Sequence, residues 1–319
     1  MKTLIVQIPA YNEEKTIAKV VSNIPRKIEG IDEVKVLVTD DGSTDKTIEE
    51  AKKAGADYIL PHKHNQGLGK NFKDGIEHCL KLGADIIVNI DGDGQFNPKD
   101  IPKLIKPLLD GEADVVTCSR FLKPELTKDM PILKKWGNKR YTNLIRRITG
   151  ENFTDTQCGY RAYSREAALR LSLHGKFTYT QESFIDLVSK GMRIKEIPLE
   201  VVYNKERKSL VSGNLMKYGL RTLGIIARAT RDTQPLTFFG VPSMILFILG
   251  LIGASFSFWF WVTHLMTTPI RQLFNVSVFF IIFGVSLAVL GLLADMLLTI
   301  KKNQDEIGYR LKKREFALK

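Results

Sequence analysis

The run Asp91-Gly92-Asp93-Gly94-Gln95 sets two carboxylates at i and i+2 and an amide two residues further on. Carboxylate and amide oxygens at this spacing can reach a single hard cation; Mg²⁺ or Mn²⁺ bound this way keeps some waters and takes a ligand's phosphates. Two like charges this close repel, and a cation resolves the repulsion. A plainer reading stays open: the aspartates cap a helix that starts near Pro98, because Asp favours helix N-termini. An EF-hand is excluded, since the later ligands and the terminal Glu are missing. Asn65-Gln66-Gly67-Leu68-Gly69-Lys70-Asn71 resembles a P-loop only superficially, lacking its first glycine and a Ser or Thr after Lys70. Cys79, Cys118 and Cys158 lie far apart without a C-x-x-C, which suits a reducing compartment and argues against zinc.

The elements that must carry this chemistry follow from apolar patterning. Thr3–Ile8, Val34–Thr39, Tyr58–Leu60, Ile86–Ile90 and Val115–Ser119 read as strands. Helical spacing follows in Glu14–Ile24, Asp45–Ala54, Lys70–Leu82 and Pro98–Leu109. Apolar strands alternating with helices predict an α/β fold with a mostly parallel sheet covered on both faces. In such sheets ligands bind beyond the carboxyl ends of the strands. The residues after successive strands are Pro9-Ala10-Tyr11-Asn12-Glu13-Glu14, Asp40-Asp41-Gly42-Ser43-Thr44, His62 to Gly69, Asp91 to Gln95, and Arg120. Polar, acidic and glycine-rich residues therefore gather on one edge. No G-x-G-x-x-G follows the first strand, which weighs against a dinucleotide oxidoreductase.

The chain's other half of chemistry is apolar. Its 319 residues carry a formal net charge of +12, but 235–263 contain no charged side chain and neither do 275–294. About 20 residues at about 1.5 Å each cross a hydrocarbon core, so these predict a transmembrane hairpin with spans near 238–262 and 275–298. Buried core helices seldom run this long without a polar face. Lys205, Arg207, Lys208, Lys217, Arg221, Arg228 and Arg231 precede the hairpin, and Lys301, Lys302, Arg310, Lys312, Lys313 and Arg314 follow it. Only Arg271 lies between the spans, so the positive-inside rule puts both termini in the cytosol, in a cell membrane or its equivalent. Residues 214–231 read as an amphipathic interfacial helix, with a plain linker helix as the alternative. The tail around 304–316 has helical spacing and either stays on the membrane or joins protomers as a homo-oligomer. The expected organisation is 1–210 an α/β domain, 211–234 juxtamembrane, 235–300 membrane-spanning and 301–319 a basic tail. Nucleic-acid binding is disfavoured, because no aromatic residues interleave a basic face.

Taken in order, PAYNEE, DDGSTD, HNQGLGKN, DGDGQFNP and SRF resemble the family-2 glycosyltransferases of GT-A fold. Arg120, the downstream Asp155…Gly159-Tyr160-Arg161 and the hairpin narrow the likeness to the polyisoprenyl-phosphate glycosyltransferases, the dolichol-phosphate mannose and glucose synthases. The resemblance implies a nucleotide-sugar pocket from Pro9, Ala10, Tyr11, Asn12, Glu13, Thr39 and Asp41, with Asp41 bonding the base or ribose. It implies that Asp91, Gly92 and Asp93 contact the donor, with Asp91, Asp93 and Arg120 catalytic, and that Asp93 and Gln95 hold Mg²⁺ or Mn²⁺ on the diphosphate. Arg120, Arg140, Asn143 and Lys205 would receive the acceptor phosphate. The family's Arg-Gly-x-Ser-Lys run is altered here to Lys205-Glu206-Arg207-Lys208-Ser209; Arg207 is the expected cation over the donor diphosphate and Lys205 the alternative.

A lipid monophosphate acceptor is already anionic and needs no general base, unlike a hydroxyl acceptor. What it needs is cations, a metal on one side and arginines on the other. A single in-line displacement then inverts the anomeric centre. The implied activity is hexose transfer to a polyprenyl or dolichyl phosphate at the bilayer, first with mannose from GDP-mannose and then with UDP-glucose or another UDP-sugar. A polysaccharide-extending enzyme would want more spans and a Q-x-x-R-W motif. An inactive nucleotide-sugar-binding homologue is disfavoured by the intact Asp91, Asp93, Gln95 and Arg120.

Overall fold

The computed structural model of the protein describes residues 1–128, 130–173, 179–202, 231, 233–268 and 270–317. Lys205, Arg207 and residues 211–230 of the expected juxtamembrane segment lie outside them.

Strand β1 (Thr3–Ala10) sends Leu4, Val6, Ile8 and Ala10 into one apolar cluster and Ile5 into another. Both faces of the sheet are therefore covered, which is why the strand reads as an unbroken apolar run. Beside it lie β2 (Glu33–Asp40), β3 (Tyr58–Pro61) and β4 (Ile86–Asn89), all parallel, with Leu4 opposite both Val34 and Ile86. Helices α1 (Ile17–Ser22), α2 (Thr47–Lys53) and α3 (Leu68–Lys81) form the crossovers. In α3, Phe72, Ile76, Cys79 and Leu80 recur at helical spacing and bury one stripe.

The aspartates of the Asp91–Gln95 loop do not cap the next helix. Asn97 does so instead, its side chain accepting from Lys99 N at 3.1 Å at the start of a 3₁₀ turn (Pro98–Asp100) that leads into α4 (Ile101–Leu109). Strand β5 (Val115–Ser119) follows, then α5 (Ile132–Thr149), which ends on Gly150 at φ 76°.

Two further strands complete the sheet. β6 (Arg161–Ser164) runs antiparallel between β4 and β5, and β7 (Ile194–Pro198) lies parallel to β5 at the edge. The seven-stranded order is β3-β2-β1-β4-β6-β5-β7. Helices α6 (Arg165–Arg170) and α7 (Thr180–Ser189) separate β6 from β7. The result is the mostly parallel mixed sheet of a GT-A core.

Two long apolar helices follow, α8 (Pro235–His264) and α9 (Arg271–Ala317), each long and apolar enough to cross a membrane. They pack on each other through small residues. A Cβ on Gly250 would stand 2.8 Å from Ser277 O, one on Gly284 3.0 Å from Ser243 O, and Ser243 Oγ donates to Gly284 O at 2.7 Å. Close backbone approach of this kind is the usual way helices associate in lipid.

The chain divides into two compact units, Gly213–Asp305 and Met1–Ser212 with Glu306–Lys319. The end of α9 thus belongs to the same compact unit as the sheet. Tyr309 and Phe316 are buried in the cluster that contains Leu169 and Leu171. Tyr309 Oη donates to Glu166 Oε1 at 2.7 Å, Arg170 lies 4.2 Å over its ring, and Arg165 Nη2 donates to Phe316 O at 2.8 Å. The basic residues that read as a membrane tail partly serve this seam: Lys312 Nζ donates to Leu171 O at 3.2 Å. Tyr309→Ala is expected to destabilise this unit by about 2–4 kcal/mol. Leu311→Ala, at a side chain 61% exposed, is expected to stay within about 0.5 kcal/mol. Thermal unfolding of the two variants in detergent checks both.

Candidate active site

The loop after β1 is laced to the loop after β2. Asn12, at φ 54°, accepts Thr44 N on its Oδ1 at 2.9 Å and donates its own N–H to Ser43 Oγ at 2.9 Å. Glu13 N donates to Thr47 Oγ1 at 2.8 Å. Short polar side chains tolerate the left-handed conformation, so asparagine suits the turn.

Asp41 is committed to a third loop. Its Oδ1 accepts from His62 Nδ1 and Gln66 N, and its Oδ2 from Gly67 N, each at 2.9 Å. His62 Nε2 lies 3.2 Å from Asp74 Oδ2. Asp41 therefore clasps the segment 62–67. Gly42 makes the clasp possible: at φ +75°, a Cβ there would stand 2.8 Å from the His64 backbone. The unexpected residue is Asp40, which is 1% exposed, accepts Ser43 N on Oδ2 at 2.9 Å and keeps Oδ1 buried without a partner. A buried acceptor left open is costly to a fold. The doubled Asp40-Asp41 in sequence was the signal, but two adjacent aspartates cannot be told apart without the loop they hold.

Beyond β4, burial and then the neighbouring Asp93 charge push the Asp91 carboxyl up to about 7. Asp93 Oδ1 accepts Gln95 N at 3.1 Å, and Gly92 O accepts Thr16 Oγ1 at 2.8 Å. Among the described residues no three His, Cys, Asp or Glu side chains converge as a closed metal site. The Asp91–Asp93 pair with the Gln95 amide is the open kind of donor set, two carboxylates whose mutual repulsion is visible in the raised Asp91 pKa. Such a set fits Mg²⁺ or Mn²⁺ completed by waters and a ligand's phosphates.

Beyond β5, Arg120 is 6% exposed and clamped by the fully buried Asp155. Its Nε donates to Asp155 Oδ2 at 2.6 Å, its Nη2 to Oδ1 at 2.9 Å, and its backbone N to Oδ2 at 3.2 Å. Burial alone would raise the Asp155 carboxyl, but the hydrogen bonds and charge of Arg120, with the Asn138 amide, hold it below its ordinary value. Asn138, on the inner face of α5, donates to Asp155 Oδ1 at 2.9 Å. Glu196 on β7 accepts Thr154 N and Asp155 N at 2.7 and 2.8 Å, fixing the loop from the other side.

Arg140 and Asn143 sit on the exposed face of the same helix, Arg140 lying 5.1 Å over the half-exposed Trp136 ring, near Ile132 at 87% exposure. The structure thus brings Arg120 into the buried network and leaves Arg140 and Asn143 outside it. Arg161 of the Gly159-Tyr160-Arg161 run is structural. It is 2% exposed, donates to Cys158 O and Thr156 O, and lies 4.4 Å over Phe184.

Comparisons with known proteins give the chain's relatives and its family. The UDP-N-acetylglucosamine–dolichyl-phosphate N-acetylglucosaminyltransferase of Methanococcus voltae is 33% identical over 223 residues, covering 64% of this chain and 87% of that one. The undecaprenyl-phosphate mannosyltransferase of Micrococcus luteus is 28% identical over 220 residues, 66% of this chain and 87% of that one. Glucosyl-3-phosphoglycerate synthase from Mycobacterium tuberculosis, solved with uridine diphosphate, superposes with a TM-score of 0.55 at 25% identity over 72% of this chain and 79% of that one. The description "Glycosyl transferase family 2" matches residues 5–171, more than half of the chain, and the protein belongs to that family.

Proposed function

We propose that the enzyme transfers a sugar from a nucleotide sugar to the phosphate of a membrane polyprenyl phosphate, with inversion at the anomeric carbon. The observation that carries this is the pairing, on one sheet edge, of an acidic set fit for a diphosphate-bound cation with a buried, clamped arginine. That arrangement serves two anions that must meet, and an anionic acceptor needs no general base. Asp93 and Gln95 hold Mg²⁺ or Mn²⁺, which when bound supplies charge neutralisation for the departing nucleoside diphosphate. Asp91 and Gly92 meet the donor. Pro9 to Glu13, Thr39 and Asp40 line the nucleoside side, and Asp41 shapes it through segment 62–67. Asp155 holds Arg120 in one orientation toward the acceptor phosphate, while Arg140 and Asn143 serve the approach from the lipid surface. Arg207, with Lys205 as the alternative, closes over the diphosphate. Residues 1–210 form the catalytic domain, 211–234 the juxtamembrane segment and 235–300 the spans, with the site in the cytosol.

A UDP-sugar is the donor that the Methanococcus relative and the UDP-bound mycobacterial structure support, N-acetylglucosamine foremost. GDP-mannose is the second reading; the Micrococcus relative, a mannosyltransferase by name, supports its sugar. The test is label transfer from UDP-N-acetylglucosamine, UDP-glucose and GDP-mannose to polyprenyl phosphate by purified protein in detergent, with and without EDTA. One donor is expected to give an organic-extractable product that EDTA abolishes and added Mn²⁺ restores. Product from no donor, with nucleotide still bound, would overturn the acceptor assignment.

A further inference from the structure

Because β6 runs antiparallel to β4, with Arg161 opposite Asn89, the residues that enter β6 pass beside those that leave β4. Gly159 consequently lies against Asp91. A Cβ on Gly159 would stand 3.0 and 3.3 Å from the two Asp91 carboxylate oxygens and 2.8 Å from Tyr179 Oη. The same three parts are tied together by one amide, for Asn89 Nδ2 donates to Gly159 O and to Tyr179 Oη, both at 2.9 Å. Tyr179, at 1% exposure, is stacked on Phe72 with ring centroids 3.8 Å apart and planes 7° off parallel. Its ring therefore cannot swing, and its hydroxyl can donate to Gly159 O across 3.5 Å.

An apolar core would be served as well by Phe at 179 and an aliphatic residue at 89. Instead it holds an amide whose Oδ1 is buried without a partner, an arrangement that destabilises a purely structural core. Burial, followed by the Asp91 charge, keeps the Tyr179 phenol protonated far above its ordinary range, so its hydroxyl stays a donor.

We infer that Asn89, Gly159 and Tyr179 form a bracket that fixes the place of the Asp91 carboxylate, which makes them positioning residues for sugar transfer. The inference rests on the reading that Asp91 meets the donor. Tyr179→Phe removes the hydroxyl and keeps the stacked ring. Gly159→Ala drives a methyl group between the hydroxyl and the carboxylate. In Gly159→Ala/Tyr179→Phe, the 2.8 Å contact with Oη is gone and part of the room returns.

The experiment measures kcat and donor KM for UDP-N-acetylglucosamine and for GDP-mannose with the full-length protein in detergent. Alongside these it measures melting temperature and binding of UDP and GDP by calorimetry, with Asp91→Asn for comparison. Tyr179→Phe is expected to lower kcat about tenfold with KM and nucleotide binding nearly unchanged, the pattern of a loss confined to the transition state, beside a modest fall in melting temperature from the Asn89 N–H left without its acceptor. Gly159→Ala should lose more, about 10²-fold, and the double variant should recover part of that loss, a non-additivity expected only of groups in contact. Wild-type kcat in Tyr179→Phe beside an inactive Asp91→Asn would overturn the bracket alone. A fall in kcat matched by equal losses of stability and nucleotide binding would also overturn it, since a core role explains that. Wild-type transfer by Asp91→Asn would remove the reading of Asp91 itself, and the bracket with it.

Discussion

Asp93→Asn is expected to lower sugar transfer by about 10²–10³-fold, the usual loss when one electrostatic partner of a developing charge is removed. Fold and melting temperature should barely change. Asp93 sits in an open turn with its Oδ1 on Gln95 N, and an asparagine oxygen can accept the same bond. What the amide cannot supply is charge. The variant should therefore need far more Mn²⁺ for half-maximal activity, and more Mg²⁺ still, because both cations prefer anionic oxygen ligands. Removal of the Asp93 charge also relieves the strain on Asp91, whose carboxyl is pushed up first by burial and then by Asp93. Calorimetric titration of Mn²⁺ in the presence of UDP reads the metal half of the prediction without turnover. Undiminished activity with unchanged metal dependence would sink the assignment of Asp93 as a ligand.

The parts of this molecule that were legible in sequence are those whose physics is local. Ile86–Asn89 and Val115–Ser119 are buried throughout and read as strands from apolar content alone. The two long apolar helices were legible for the same reason, since 235–263 carry no charge at all. β6 was missed because it is four residues long, opens with Arg161 and draws its stability from two flanking strands. β7 is a partly exposed edge strand that ends in proline, where periodicity is weak. At the site, the close spacing of Asp91 and Asp93 is legible in sequence, but which of Asp40 and Asp41 meets segment 62–67 is not. That is a contact between loops 20 or more residues apart. Glu196, Asn138 and Tyr179 were illegible for the same reason: each acts across the sheet or from a neighbouring helix, and nothing in its own neighbourhood in sequence singles it out. The packing of the tail was not legible either, because it rests on Tyr309 and Phe316 being buried with Leu169 and Leu171 and on Lys312 reaching Leu171 O.

Asp155→Ala should be the most destabilising single change near the site, at about 3–5 kcal/mol, because it leaves a buried guanidinium without its counter-charge. The pair itself is not worth that much, for a matched apolar replacement of both partners is often close to neutral. Arg120→Met/Asp155→Leu is therefore expected to be markedly more stable than Asp155→Ala while remaining inactive, which separates the fold's need for the pair from the reaction's need for the arginine. Thermal unfolding and transfer assays on the two variants test both halves. The sign of the pH dependence follows from the same pair. The folded-state carboxyl of Asp155 lies below the ordinary value of 3.8, so its contribution is fully present above that value and is lost as pH falls through the folded pKa. Wild-type protein should accordingly lose stability in that acid range, and Arg120→Met/Asp155→Leu should lose less, having no carboxylate there to protonate. An equal acid loss in both proteins would show that other carboxylates govern it and that Asp155 holds Arg120 by geometry more than by charge.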